Sequence, residues 1–520
     1  MSAATHAASG ASGSSGAPAQ ATSIASRLPR WWPLAAIGLL AAVLRVSTLN
    51  LQSFWYDEAF TPVHVLHPSL WETLRSVVHT ENTPPLWYVI AWADARVLGT
   101  GEIALRLPSA IAGIATVPVA WAIGRELAGR SVAIVCALLV AVNPLFVWYS
   151  QEARAYALFV LMAALAMLCF LRAEREPTRA RMGLFALTGA LALLTHYFAV
   201  FLLIPMALWL LCQRSTRRAA LGAVGVLALV GAALLPLISA QGGHGTQWIG
   251  RWPLLERLEA IPQYYLTGYS GKPLGHGVEL LVALPVLAGL GLGAWRMSDP
   301  RGGRTQRSLR ALLLALSIAA CGVLVPIVLV AFGADYLAPR NLVAAMIPVT
   351  AVIAIATVWP DAAGRVSIAG VTLAATIALA FLAVSIDVNL SPRLQRGNWR
   401  GLARALAHGT GGDRAEVITT VELGSAPLEY YRPGLHGLRA GSSVLVSEVD
   451  ETGYAPLRAA AAQPPAPGFR LRARVNVDGL IAYRFVSPVP RRLSEATLRR
   501  HVIALEGPPV VLVPAGAHVS

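Results

Sequence analysis

Residues 31–60 read WWPLAAIGLLAAVLRVSTLNLQSFWYDEAF, an apolar run (Trp31–Leu49) that gives way within a few positions to the adjacent acids Asp57 and Glu58. Arg27 and Arg30 precede the run and no convincing small-residue cleavage site follows it. It therefore reads as a retained first membrane span with its N-terminus inside. Further runs long enough to cross a hydrocarbon core of ~30 Å lie near 105–125, 130–149, 153–172, 181–196, 197–212, 218–239, 275–295, 310–331, 342–358 and 365–386. The expectation is a polytopic α-helical membrane protein with about eleven transmembrane helices.

Composition agrees with that frame. Of the 520 residues 56% are hydrophobic and only 13% charged, and the mean hydropathy of +0.58 is too high for a soluble domain. The formal charge of +15 comes almost wholly from arginines. They recur in short clusters between apolar runs, a topology signal and not a nucleic-acid patch, so no nucleic acid is expected as a partner. Cys136, Cys169, Cys212 and Cys321 all sit inside apolar runs and give neither a disulfide framework nor a metal motif.

Side assignment turns on Pro84–Leu98, which is short and carries Asp94 and Arg96. Read as an interfacial helix, it leaves Arg125/Arg130, Arg172–Arg181, Arg214–Arg218, Arg296–Arg310 and Arg365 all on the cytoplasmic side. The loop 50–104, the turns near 150–154, 196–197 and 332–341, the loop 240–274 and everything beyond the last run then face outward. The inward loops are too short to hold a nucleotide-binding domain, so any chemistry is extracytoplasmic. Three divisions follow: a disordered tail (1–29), a transmembrane domain (30–386) whose outer loop 50–104 carries the acids, and an extracytoplasmic α/β domain (387–520). In the last, 398–407 reads as an amphipathic helix, and 417–421, 443–446, 471–477, 482–486 and 510–513 as strands.

On the outward face several residues suit chemistry. Asp57 and Glu58 are flanked by Phe54, Trp55, Tyr56, Ala59 and Phe60, surface that holds a carboxylate at the membrane boundary and suits it to act as a base. A solvated acid pair is the plainer alternative. Arg106, Arg154 and Arg340 stand against the topology bias at outer ends of spans, where guanidinium groups hold phosphate. For Gln151-Glu152 and Tyr156 a simple helix start remains open, and for His196-Tyr197 and Tyr336 a structural role. Pro84-Pro85, Trp87 and Tyr88 explain themselves as an interfacial helix start and also fit the wall of a site. Arg45, late in the first run, is expected to face the same site. Gly289, Gly291 and Gly293 lie in a span with no preceding strand and read as close helix packing.

The order Asp57-Glu58, Pro84-Pro85-Leu86-Trp87-Tyr88, Arg106-Leu107-Pro108-Ser109, Ser150-Gln151-Glu152-Ala153-Arg154-Ala155-Tyr156 and His196-Tyr197-Phe198 resembles the family-39-like glycosyltransferases. These are GT-C fold membrane enzymes related to protein O-mannosyltransferases and to the aminoarabinose transferase of lipid A. The resemblance covers roughly the first 215 residues. It implies transfer of mannose or a similar hexose or aminosugar from a polyprenyl-phosphate donor to an extracytoplasmic protein, lipid or glycan acceptor, by a single inverting displacement. Asp57 would be the base and Glu58 its partner or a sugar contact. Arg154, Arg106 and Arg340, with Tyr336, would hold the donor phosphate. Tyr56, Pro85, Tyr88, Gln151, Glu152, Tyr156, His196 and Tyr197 would line the sugar and acceptor pocket. The resemblance assigns no certain cofactor and leaves metal dependence open; if a divalent cation (Mg or Mn) is used, Glu152 would help bind it. The expected location is a bacterial plasma membrane. Thr83 stands where the family has His before the two prolines, and Arg340-Asn341 where it has an Arg-Tyr pair, so the sugar is not named. Two other readings stay open: an oligosaccharide ligase or oligosaccharyltransferase, and a polyprenyl-lipid flippase or transporter.

Overall fold

A computed structural model describes residues 31–243, 246–268, 274–298, 306–361, 364–407, 414–419, 425–455, 457–504 and 509–520. The tail expected at 1–29, and residues 420–421 of one expected strand, lie outside them. Among the described residues seven helices are long and apolar enough to cross a membrane: Glu102–Ala128, Tyr156–Arg175, Arg217–Gln241, His276–Ser298, Gln306–Ala331, Pro339–Val358 and Ile368–Leu390. Arg130–Val142 and Pro144–Ser150, bent by 55° at Asn143, make up to an eighth. The count of about eleven is thus corrected to seven or eight. At 1.5 Å per residue, the 15 residues of Trp32–Val46 reach only about 22 Å and the 17 of Arg179–Thr195 about 26 Å, short of the ~30 Å core. The apolar run at 197–212 likewise forms only a short helix, Tyr197–Cys212.

The bend at Asn143 has a local cause. Pro144 cannot donate a backbone bond, and the Asn143 side chain caps the next helix by accepting from the N–H groups of Leu145 (3.0 Å) and Phe146 (3.3 Å). The carbonyls freed on the other side are taken by Arg45, which donates to Val140 (3.0 Å) and Ala141 (2.8 Å) and to Ser150 Oγ (3.1 Å). Arg45 is therefore a fully buried helix cap and not a group facing the acids. Of the three glycines expected to pack closely, Gly289 and Gly293 do, a Cβ there coming within 2.6 Å of Thr357 Oγ1 and of the Ala356 Cβ, while at Gly291 such a Cβ would meet nothing within 4 Å.

The segment after the first helix forms a layer of short helices, Phe60–Val65, Leu70–Thr80 and Leu86–Leu98. Its core joins Phe54, Val77, Trp87, Tyr88 and Ala91 to Leu105 of the helix Glu102–Ala128 and to Ala153 of the turn after Ser150. Opposite it lies the end bearing the arginine clusters, knit together by Arg175 to Glu126 (2.6 Å), Arg310 to Glu174, and Arg296 to the Thr357 carbonyl (3.1 Å).

Beyond Leu390 the chain forms the helix Trp399–Ala407 and the strands Arg414–Thr419 (β1), Leu435–Gly437 (β2), Ser443–Tyr454 (β3), Arg470–Val477 (β4), Leu480–Ser494 (β5) and Pro509–Pro514 (β6). They pair in the order β2-β6-β1-β3-β5-β4, with β1 and β3 parallel and the other pairs antiparallel. One face buries Val444, Val449, Phe485 and Val511. The other packs Leu480, Ala482 and Leu512 on Trp399, Leu402 and Leu406, and Trp55 from the loop before the acid pair joins this second core.

Candidate active site

The acid pair splits into two different environments. Glu58 is fully buried and receives Arg106 through two parallel bonds, Nε to Oε1 (2.6 Å) and Nη2 to Oε2 (2.7 Å), with the Ala153 N–H on Oε1 (2.8 Å). Arg106 also donates to the carbonyls of Leu49 (2.6 Å), Gln52 (2.7 Å) and Ser53 (3.1 Å). All five of its N–H donors are committed, so Arg106 fixes the 49–58 loop and has no donor left for a phosphate. Its expected place in a phosphate clamp is revised on that ground.

Asp57 lies between two guanidinium groups, Arg340 Nη1 at 3.3 Å from Oδ2 and Arg154 Nη2 at 3.6 Å from Oδ1. Arg154 is itself held by Glu81 (Nη1 3.0 Å, Nη2 3.1 Å) and by Tyr88 Oη (2.9 Å). Burial alone would raise the Glu81 carboxyl, but Arg154 and His64 outweigh it and hold it at about 2; His64 Nε2 is 3.5 Å away. Arg340 is the more accessible of the two arginines and sits 4.9 Å from the Trp248 ring centre. Its turn is anchored by Arg257, buried and bonded twice to Asp335 (2.6 and 2.9 Å) and once to the Leu337 carbonyl (3.1 Å). Asp57, Arg154 and Arg340 come together; Tyr336 is exposed on the same turn.

Glu152 is fully buried. Its Oε2 receives Arg396 Nη2 at 3.1 Å, while Oε1 has no hydrogen-bond partner. Burial, reinforced by Asp57 and Glu58 and opposed by Arg396 and Arg154, pushes its proton affinity up to about 7. His196 stacks on Phe159 (4.6 Å) with Tyr156 6.1 Å away, and its Nδ1 accepts the Phe198 N–H (3.3 Å). Burial first, then Arg340 and Arg154, lower it to about 3. Tyr156 is buried and lies 4.6 Å from the Tyr149 ring. Gln151 is spent on the first helix, donating to the Leu44 carbonyl (2.9 Å) and Thr48 Oγ1 (2.6 Å). Tyr197 donates to Gln241 (2.7 Å), which bonds the Thr83 carbonyl (3.1 Å). Tyr56 rests edge-on against Trp55, and Pro85 precedes the helix that carries Tyr88.

Glu81, His64 and Arg396 were not singled out from the sequence. Arg396 lies beyond the last span among many arginines of the C-terminal domain, where charge carries no topology signal, so nothing in the sequence marked it. Glu81 directly precedes the Asn82–Tyr88 motif. Among the described residues no group of three or more His, Cys, Asp or Glu side chains could hold a metal ion.

A bundle end that carries a buried ring of paired acids and arginines beneath a small β-sheet domain defines a polytopic membrane protein of the GT-C type. Residues 82–240 match the family described as dolichyl-phosphate-mannose-protein mannosyltransferase. ArnT from Cupriavidus metallidurans, in a crystal structure bound to undecaprenyl phosphate, superposes with a TM-score of 0.53 at 12% identity, over 88% of this chain and 98% of that one. An oligosaccharyltransferase from Archaeoglobus fulgidus, tethered to an acceptor peptide, gives 0.47 at 15% identity over 74% of this chain and 58% of its own, too distant to bear on the site. No curated protein sequence matches. Residues 82–240 are thus similar in sequence to the protein-mannosyltransferase family, and the chain as a whole shares the fold of ArnT.

Proposed function

We propose that this protein moves a sugar from a polyprenyl-phosphate donor to an extracytoplasmic acceptor, with Asp57 as the base. The observation that carries the reading is the placement of Asp57 between Arg154 and Arg340, in a fold shared with a protein crystallised with undecaprenyl phosphate. The acceptor hydroxyl gives its proton to Asp57 while its oxygen attacks the anomeric carbon. The bond from that carbon to the phosphate oxygen breaks, and the lipid phosphate leaves with the electron pair. Arg340, backed by Arg154, faces the charge that develops there. One displacement inverts the anomeric centre. The side follows from charge: the arginine clusters gather at the opposite end of the bundle, which the inside bias places in the cytoplasm. A bacterial plasma membrane suits this arrangement. Sugar and acceptor stay at the level of class.

Reconstitution with polyprenyl-phosphate-linked sugars tests the reading. Asp57→Asn is expected to lower transfer by about 10²–10⁴-fold, the range for loss of a general base. Arg340→Ala is expected to raise the donor KM by about tenfold or more, as loss of a charge-assisted bond does. Undiminished transfer by Asp57→Asn would remove the base. Donor movement across vesicles with no transfer from any lipid-linked donor would favour the flippase reading.

A further inference from the structure

We propose that Arg396 is a positioning residue through which the C-terminal sheet domain completes the site, fixing Glu152 from above and the loop leading to Asp57 from its side; this rests on the transfer reading. The Arg396 side chain is buried although it comes from the segment between the last long helix and the sheet. Its Nη2 reaches Glu152 Oε2 (3.1 Å) and the Trp148 carbonyl (3.3 Å), and its guanidinium lies 3.9 Å from the Trp148 ring centre. A buried carboxylate and a buried guanidinium are costly apart, so each dictates where the other sits.

The neighbouring residues grip the loop before the acid pair. The Arg396 N–H donates to Gln52 Oε1 (2.9 Å), Ser53 Oγ donates to the Gly397 carbonyl (2.9 Å), and the Trp399 N–H donates back to Ser53 Oγ (3.0 Å). Arg400 donates to the carbonyls of Asn50 (3.2 Å) and Leu51 (3.3 Å), and Tyr431 Oη receives the Phe54 N–H (2.7 Å). The segment 50–54 is thus held residue by residue by the C-terminal domain, while Arg106 holds Glu58 from below. Asp57 lies between these two grips. Gly397 leaves no slack: a Cβ there would come within 2.1 Å of Tyr454 Oη.

The test compares wild type, Arg396→Ala, Arg396→Lys and the milder Ser53→Ala in full-length protein, by steady-state transfer and by hydrogen exchange of the 50–58 amides. The expected result is a kcat reduced about 100-fold in Arg396→Ala, the scale of a misplaced catalytic group. The donor KM changes less than about threefold, because a positioning residue acts on the transition state alone. Lysine restores part of the rate, Ser53→Ala shifts kcat in the same direction by less, and exchange at 50–58 quickens in each variant that is slowed. A wild-type kcat in Arg396→Ala, or a raised donor KM with kcat unchanged, overturns the proposal. So does a loss of rate with unaltered exchange at 50–58. If wild type transfers no sugar while exchange at 50–58 still quickens in Arg396→Ala, the grip stands and the transfer reading falls.

Discussion

Glu152 and His196 lie within the same charged cluster and are driven in opposite directions by it. Burial in the first place, then Arg340 and Arg154, lower His196 from 6.5 to about 3. The folded protein thus binds that proton less readily than the unfolded chain. The resulting stability is fully present above about pH 6.5 and is lost as pH falls toward 3. Burial, with Asp57 and Glu58 adding and Arg396 and Arg154 opposing, raises Glu152 from 4.5 to about 7. Its contribution is fully present below about pH 4.5 and is lost as pH rises through 7. Between those limits the two slopes oppose each other. Glu152→Gln should therefore make stability climb more steeply with pH than wild type between 5 and 6.5, and His196→Gln should make it climb less or fall. Thermal unfolding of the solubilised protein across that range decides it, and parallel profiles for all three proteins would refute both assignments. At this scale the sequence brought forward Asp57, Arg154 and Arg340, which do come together, because outward arginines and an aromatic-flanked acid pair are unusual at a membrane surface, while Glu81, His64 and Arg396 carried no such mark. It could not show how they divide the work. Arg106 and Arg154 look alike in sequence, yet one spends every donor on Glu58 and backbone carbonyls while the other reaches Asp57, a distinction made by neighbours far along the chain.

Elements position the site through the bend at Asn143, which delivers Gln151–Arg154 to the end of the bundle. The bend is braced where Gly113, inside the helix Glu102–Ala128, passes Ser150. A Cβ on Gly113 would come within 2.0 Å of Ser150 Oγ and 2.9 Å of Arg45 Nε, atoms already joined to each other. Gly113→Ala is expected to destabilise by about 1–3 kcal/mol through overpacking and to slow transfer by shifting Glu152 and Arg154. Gly225, in the helix Arg217–Gln241, has nothing within 4 Å of such a Cβ. Gly225→Ala should be neutral or stabilising by up to about 1 kcal/mol, since alanine is the better helix former. Melting temperatures that do not separate the two variants would contradict this account of the bend. Hydropathy located nearly every helix but overestimated spans, because it measures the length of an apolar run and not where the helix within it stops. Trp31–Leu49 loses its last residues to a turn after Val46. The break between Thr195 and Tyr197, made by His196 in extended conformation, is legible in the sequence, but the helices on either side of it are still too short to span.

Across the whole molecule the asymmetry of charge predicts an orientation in the membrane, and this prediction is independent of catalysis. The chain reaches one end at Cys212–Arg217 and returns from it along Arg217–Gln241, whose Gln241 meets Thr83 beside the acid cluster. Ser215 is exposed at that far end and Arg472 is exposed on β4 above the acids. A helix bundle with its arginine clusters inside must therefore show Arg472 and Ser215 to opposite compartments. With Cys136, Cys169, Cys212 and Cys321 replaced, a single cysteine at 472 should react with a membrane-impermeant maleimide in intact cells. One at 215 should react only after permeabilisation. The sheet domain and the Asp57 cluster are joined through Ser53, Gln52, Glu152 and Arg396, so the side of residue 472 is also the side of the acids. Labelling of 215 from outside with 472 protected would invert the molecule and put the lipid phosphate, the acceptor and the charged cluster in the cytoplasm. The extracytoplasmic acceptor would then have to be abandoned even if Asp57 and Arg340 kept their roles.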